Sequence, residues 1–226
     1  FEDLGARFED VSLEDLLASL ARGRGARGAA GARAGAAMRG EDFEVTVPLT
    51  LEQASAGTEL DLELAMPELG ADGMLRRVPR RVKARIPKGA TDGQRLRVPG
   101  KGGPGYGGGP AGDLYLNIVL HPHRLYRVVG HDLYLDLPLA PWEAVLGAAV
   151  QVPTLGGPVE LRVPQGTRSG QRLRLSGRGL PKPGGGAGDL YAVVQIAVPP
   201  EPSDKERKLF EELARNSSFN PRSQLG

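Results

Sequence analysis

From residue 43 the chain settles into a period of two. Phe43, Val45, Val47 and Leu49 alternate with polar neighbours, and Leu133, Leu135, Leu137 and Leu139 do the same. Strict alternation puts every second side chain on a buried face, so both stretches predict half-buried strands. Leu60, Leu62 and Leu64 extend the pattern, spaced by Asp61 and Glu63. Further strands are predicted over 82–86, 94–98 and 114–120, and again over 159–163, 171–175 and 190–198. Between the first two strands of each set lies one helical turn, 51–56 or 141–146, closed by Gly57 or Gly147. The ends follow another rhythm. Leu13, Leu16, Leu17 and Leu20 recur at threes and fours behind Ser12, which predicts a short helix. Ser203 and Glu206 make a capping box, with Leu209, Phe210 and Leu213 as the apolar stripe behind it.

The two sets of strands are copies. Residues 40–57 match 130–147 at an offset of 90, and 82–102 match 159–179 at an offset of 77. The fall in offset means thirteen extra residues in the first copy, between Leu64 and Val82. Each copy is far longer than a solenoid repeat and has the size of a small domain. The fold class is therefore mainly β: two tandem homologous β-sandwich-like domains, 40–126 and 127–200, followed by a C-terminal helix. Residues 21–40, a Gly/Ala/Arg tract, bury too little to offset their ordering entropy and predict a flexible linker.

Composition narrows the function. The 226 residues include 33 Gly and 19 Pro, which demands many turns, and no Cys, which excludes disulfides and thiol chemistry and fits a reducing, cytoplasmic setting. A net charge of +2 does not demand a nucleic-acid partner. No apolar run is long enough to span a membrane. His121, His123 and His131 are too few for a metal site without converging partners, so they predict loop histidines at a strand end. No serine sits in a nucleophile elbow, and the glycine-rich run 99–112 lacks the Gly-Lys-Ser/Thr ending of a phosphate loop. That run predicts a mobile hairpin loop. The duplicated Gly-Gln-Arg-Leu-Arg at 93–97 and 170–174 predicts framework rather than a basic site, because two folds share turns but need not share a ligand. No enzyme and no cofactor are expected.

What remains is an edge. Strands carrying Val45, Val47, Leu62 and Leu64 either supply plain core residues or present a shallow apolar groove to which an extended peptide adds as a further strand. The stripe of Leu209, Phe210 and Leu213 lies outside both repeats. An isolated helix this short is marginal in water, so it predicts docking on a second copy.

Several motifs stand in one order: VPLTLEQASAG, IPKGATDGQRLRVPGKG, GDLYLNIVLHPH, LPLAPWEAVLGAAVQVPTLGG, GTRSGQRLRLSGRGLP and SSFNPR. Together they resemble the C-terminal region of DnaJ-type J-domain co-chaperones (the heat-shock protein 40 family), and within it the bacterial curved-DNA-binding-protein group. The resemblance implies two peptide-binding β domains and a dimerising helix. It divides the chain into a linker remnant with one helix (1–39), domain I (40–126), domain II (127–200) and a dimerisation helix with tail (201–226). It adds Val82 and Tyr126 to the groove of domain I. It implies unfolded polypeptide clients, a DnaK-type chaperone and a homodimer as partners. DNA is the alternative partner, given the nearest group and an isoelectric point of about 9.0. There is no His-Pro-Asp motif of a J domain and no Cys-x-x-Cys. The resemblance is thus to a zinc-free form, and this stretch should not itself stimulate a DnaK-type ATPase.

Overall fold

The fold is described from a computed structural model over residues 37–69 and 74–223. The predicted helix at Ser12–Leu20 and most of the predicted linker lie outside these residues. The first unit comprises β1 (Phe43–Leu49), α1 (Leu51–Ala56), β2 (Thr58–Leu69), β3 (Leu75–Ile86), β4 (Arg95–Val98) and β5 (Leu114–Leu120). The second comprises β6 (Tyr126–Val129), β7 (Asp132–Leu139), α2 (Pro141–Leu146), β8 (Ala148–Val152), β9 (Val159–Val163), β10 (Arg172–Leu175) and β11 (Leu190–Ile196). Helix α3 (Asp204–Asn216) follows. Among the described residues no helix is long and apolar enough to cross a membrane.

The two units repeat one topology. In the first, β1 runs parallel to β5, which also pairs antiparallel with β4, and β2–β3 form a separate two-stranded sheet. In the second, β7 runs parallel to β11, with β10 beyond it and β8–β9 apart. The inward residues of each sheet pair build a core. Leu49, Leu114, Leu116 and Ile118 are fully buried in one unit, and Leu133, Val152, Leu190 and Val194 in the other. The thirteen extra residues lengthen the β2–β3 hairpin: its strands have twelve residues each, against five each in β8 and β9.

Local chemistry explains the shared turns. Helix α1 starts at Thr50, whose hydroxyl accepts the Gln53 N–H while Gln53 accepts the Thr50 N–H at 2.9 Å. In α2, Pro141 takes the first position and Glu143 accepts the Ala140 N–H at 2.8 Å. Both helices end on a glycine with positive φ, 73° at Gly57 and 81° at Gly147. The Gly-Gln-Arg-Leu-Arg copies serve the framework. Gln94 and Gln171 accept the Thr91 and Arg168 N–H groups at 3.0 Å, closing the turn before β4 and β10. The last arginine of each copy then reaches across to an aspartate.

That aspartate ties each unit together. Asp113 is buried, and its carboxylate accepts from Arg97 Nε at 2.8 Å, Arg39 at 2.7 Å and the Gly100 N–H at 2.8 Å. Its own N–H donates to Asp42 at 2.7 Å. Asp189 repeats this with Arg174 at 2.8 Å, the Gly177 N–H at 2.9 Å and Asp132 at 2.8 Å. In both, the backbone N–H first and then the guanidinium hold the carboxyl below its ordinary value, against the opposing effect of burial.

Three expectations need correction. The run 99–112 is not a free hairpin loop. Met38 and Tyr106 exchange backbone hydrogen bonds, and the Gly40 N–H donates to Pro110 at 2.9 Å. A Cβ on Gly112 would stand 2.0 Å from the Glu41 carbonyl oxygen, so only glycine lets the two backbones meet. For the same reason residues 38–40 belong to the first unit rather than to a linker. The boundary at 126 also shifts: β6 begins at Tyr126 and pairs antiparallel with β7, so Tyr126 belongs to the second unit.

Because the folded carboxyls of Asp113 and Asp189 sit low, their contribution is complete above the ordinary carboxylate range and is lost as pH falls through the folded value. Asp113→Asn should lower the melting temperature near neutral pH and flatten its decline on acidification. Thermal melts of both proteins between neutral and strongly acidic pH check this.

Candidate functional site

The predicted groove residues come from β1, β2 and β3. Val47 and Val82 are buried, while Val45, Leu62 and Leu64 are half-buried and pack on the same cluster. Leu62 stands opposite Val82 in the β2–β3 ladder, and Leu64 opposite Arg80. These five residues therefore belong to one apolar cluster. Phe43 and Leu60, which were not singled out, join it as half-buried members. The alternation that marks Val45 and Leu62 marks them too.

Among the described residues, the face lies beside unpaired backbone. β1 is the outer strand of the β1-β5-β4 sheet, and β2 has only β3 for a neighbour. An edge strand keeps a row of N–H and C=O groups open to a further strand. The outward side of these strands carries exposed pairs: Arg81 to Glu63 at 2.8 Å, Lys83 to Asp61 at 4.0 Å, and Arg95 to Glu44. Arg95 also lies 3.8 Å above the Tyr115 ring. Three cations beside the face are thus paired with acids, and the face itself offers apolar contact plus main-chain hydrogen bonding.

Tyr126 is not part of this face. It pairs with Leu135 of β7, is only 6% exposed, and packs in the second unit's core. Burial, and then the charge of Glu52, push its phenol pKa up. Tyr126 instead helps to join the two units. Leu51 of α1 is buried in the same second core. His123 stacks on Tyr126 at 4.9 Å and accepts the Leu125 and Tyr126 N–H groups on Nδ1, at 3.1 and 3.2 Å. Nε2 therefore carries the proton and meets Glu52 at 3.1 Å. Both imidazole nitrogens of His123 are engaged in the framework. Among the described residues no group of three or more His, Asp or Glu is placed to hold a metal ion.

Helix α3 has the predicted capping box, Ser203 accepting the Glu206 N–H and Glu206 accepting the Ser203 N–H at 2.8 Å. None of its residues is buried. Leu209, Phe210 and Leu213 are 58%, 37% and 62% exposed, and with Trp142 of α2 they line a hollow of about 300 Å³.

Comparison with known proteins places this geometry. The family described as DnaJ C terminal domain matches residues 43–199. A curved DNA-binding protein of Coxiella burnetii is 45% identical over 189 residues, 83% of this chain and 60% of that protein. One of Serratia proteamaculans is 45% identical over 187 residues, 82% of this chain and 60% of that protein. One of Pseudomonas putida is 41% identical over 226 residues, 97% of this chain and 71% of that protein. The chain thus spans about 60% of the length of the first two relatives.

Since Tyr126 is core, Tyr126→Ala should destabilise the second unit by about 3–5 kcal/mol, the usual cost of truncating a buried aromatic. Urea unfolding followed by tryptophan fluorescence from Trp142 reads this directly. A variant that binds clients poorly at unchanged stability would return Tyr126 to the groove.

Proposed function

Because this chain belongs to the DnaJ C-terminal domain family, we propose that it is the client-binding part of a co-chaperone. It captures extended segments of unfolded polypeptide on the apolar face of β1–β3 and passes them to a DnaK-type chaperone in the cytoplasm. The carrying observation is the half-buried set Val45, Leu62 and Leu64, seated beside the open edges of β1 and β2. Bound polypeptide would gain main-chain hydrogen bonds from an edge and side-chain burial from the face. The role assigned is binding; no catalytic step and no cofactor enter it.

The relatives' name raises duplex DNA as another partner. The apolar face argues for polypeptide: its own residues carry no charge, and Arg81, Lys83 and Arg95 beside it each pair with an acid. Binding to DNA releases counterions and weakens steeply with salt, whereas apolar capture does not.

Helix α3 supports a second element of the proposal. Its stripe and Trp142 form an exposed apolar surface at the end of the second unit, continuous across two elements. A second copy covers it most economically, by a two-fold contact of like surfaces. Two first units would then hold one chain, and weak sites would add by avidity.

Leu62→Asp should abolish suppression of client aggregation while circular dichroism remains that of the wild type. Client binding should change little on raising salt. Full activity of the variant, or a salt slope as steep as that of a duplex-binding protein, would refute the assignment. Removing residues 201–226 should give monomers by light scattering that fold normally and hold clients poorly. A truncated dimer would place the interface elsewhere.

A further inference from the structure

The duplication supplies an internal comparison for the outward face of each sheet. In the first unit Glu44 stands opposite Tyr115, and Tyr115 opposite Arg97. The carboxylate of Glu44 pairs with Arg95, which lies over the Tyr115 ring. In the second unit the same positions hold Tyr134, Tyr191 and Arg174, and Arg172 is the copy of Arg95. A tyrosine thus replaces the acid, and Arg172 lacks the carboxylate that its copy has. β6 adds a further cation, Arg127, opposite Tyr134. The guanidinium carbons of Arg127 and Arg172 lie 5.4 and 5.8 Å from the centroid of the one ring, Tyr134. Among the described residues neither arginine makes an ion pair, whereas Arg174 is taken by Asp189.

The lie of the rings decides what this row offers. Tyr134 and Tyr191 stack, with 5.1 Å between centroids and 21° between planes. Neighbouring strands are about 4.8 Å apart, so the two rings face each other and turn their edges to solvent. The facing surfaces are closed to a third ring, which argues against a stacked base. What stands outward are guanidinium N–H groups and two phenol hydroxyls, which among the described residues make no hydrogen bond. All are donors, and they suit carboxylates. At the end of the row Arg124, Arg127, Tyr134 and Asp136 line a hollow of about 200 Å³. Asp136 is the one acid lining it, where the first unit has Thr46. Its charge opposes an unbroken run of phosphates more than a peptide, whose acids are spaced apart.

We propose that this face of the second unit docks an acidic segment of a protein partner, one side-chain carboxylate lying between Arg127 and Arg172 at the Tyr134 hydroxyl. That carboxylate would fill toward Arg172 the role that Glu44 fills toward Arg95. The assignment does not rest on the client-binding reading, because the row lies on the other unit and on the solvent side of its sheet. A partner held there leaves the apolar face of β1–β3 free, so one chain would hold a client and the partner together.

The test uses the full 226-residue chain and a fluorescent peptide of alternating glutamate and serine, with glutamine for glutamate as the control. The acidic peptide should bind, at least about tenfold more tightly than the control. Arg127→Gln combined with Arg172→Gln should cost a similar factor, and Tyr134→Phe less. Asp136→Asn should tighten binding. Melting temperatures should stay close to the wild type, since these side chains face solvent. Raising salt should weaken the peptide, and Leu62→Asp should not. No binding, undiminished binding by the double variant, or loss of binding in folded Leu62→Asp would overturn the assignment. Tighter binding of a short DNA duplex through the same arginines would give the face to phosphate and overturn it too. So would binding that appears only after the acids of residues 2–15 are replaced by their amides, which would give the face to this chain's own segment. None of these outcomes bears on client binding, which is read separately by the capture of denatured protein.

Discussion

An aspartate accepting from an arginine on the neighbouring strand and from an N–H in the turn after that strand is the tie on which each unit depends, buried at Asp113 and half-buried at Asp189. Asp113 and Asp189 sit just before β5 and β11, the central strands of their sheets. Through the carboxylate each fixes the neighbouring strand, β4 or β10, and the turn after it. Through its own N–H each fixes the residue that leads into β1 or β7. A carboxylate withdrawn from water in this way is tolerable only when its lone pairs are filled, so its partners are held in one geometry. This tie aligns β1 against β5 and so decides which face of β1 is turned to the core.

With the frame duplicated, the differences between the units stand out as departures from it. The first unit lengthens its β2–β3 hairpin and, among the described residues, has no strand along the outer edge of β1. The second has a short β8–β9 hairpin and a seated β6. The same frame thus yields one unit with exposed edge and half-buried apolar residues, and one whose corresponding residues are covered. The second unit is well placed to act as structure: it receives Leu51 from the first unit, stacks Tyr126 on His123, and leads into α3.

Much of this was legible in the residues. Period-two alternation located β1, β7 and the inner half of β2, and the helical turns fall at 51–56 and 141–146 as their glycines required. Val45, Val47, Leu62, Leu64 and Val82 fall on one apolar cluster because alternation alone determines facing. The strands that went unpredicted are short or atypical. β6 carries two adjacent valines, and β8 opens with two alanines, so neither shows clean alternation. The outer half of the long hairpin is interrupted by Pro67 and Pro79, which reads as loop but is permitted in a two-stranded ribbon with open edges. The placing of Tyr126 could not be read locally. It is decided by pairing with β7 across a turn at Gly130, whose φ of 59° allows the chain to reverse there. The glycine-rich run misled for a related reason: glycine permits mobility, but here it permits close backbone approach.

The parallel pairing of β1 with β5 also orders events in time. Phe43 pairs with Leu114 and Leu49 with Leu120, so the sheet joins segments about seventy residues apart. Such contacts are slow to form, because the intervening chain must first be closed into a loop. On the ribosome, β1 waits unpaired until β5 has emerged, whereas the β2–β3 hairpin is local and free to form at once. The first unit completes its sheet while the second is still being made, yet Leu51 gains its final cover only when β7 and β11 arrive. During that interval the nascent protein exposes an unpaired apolar edge of its own.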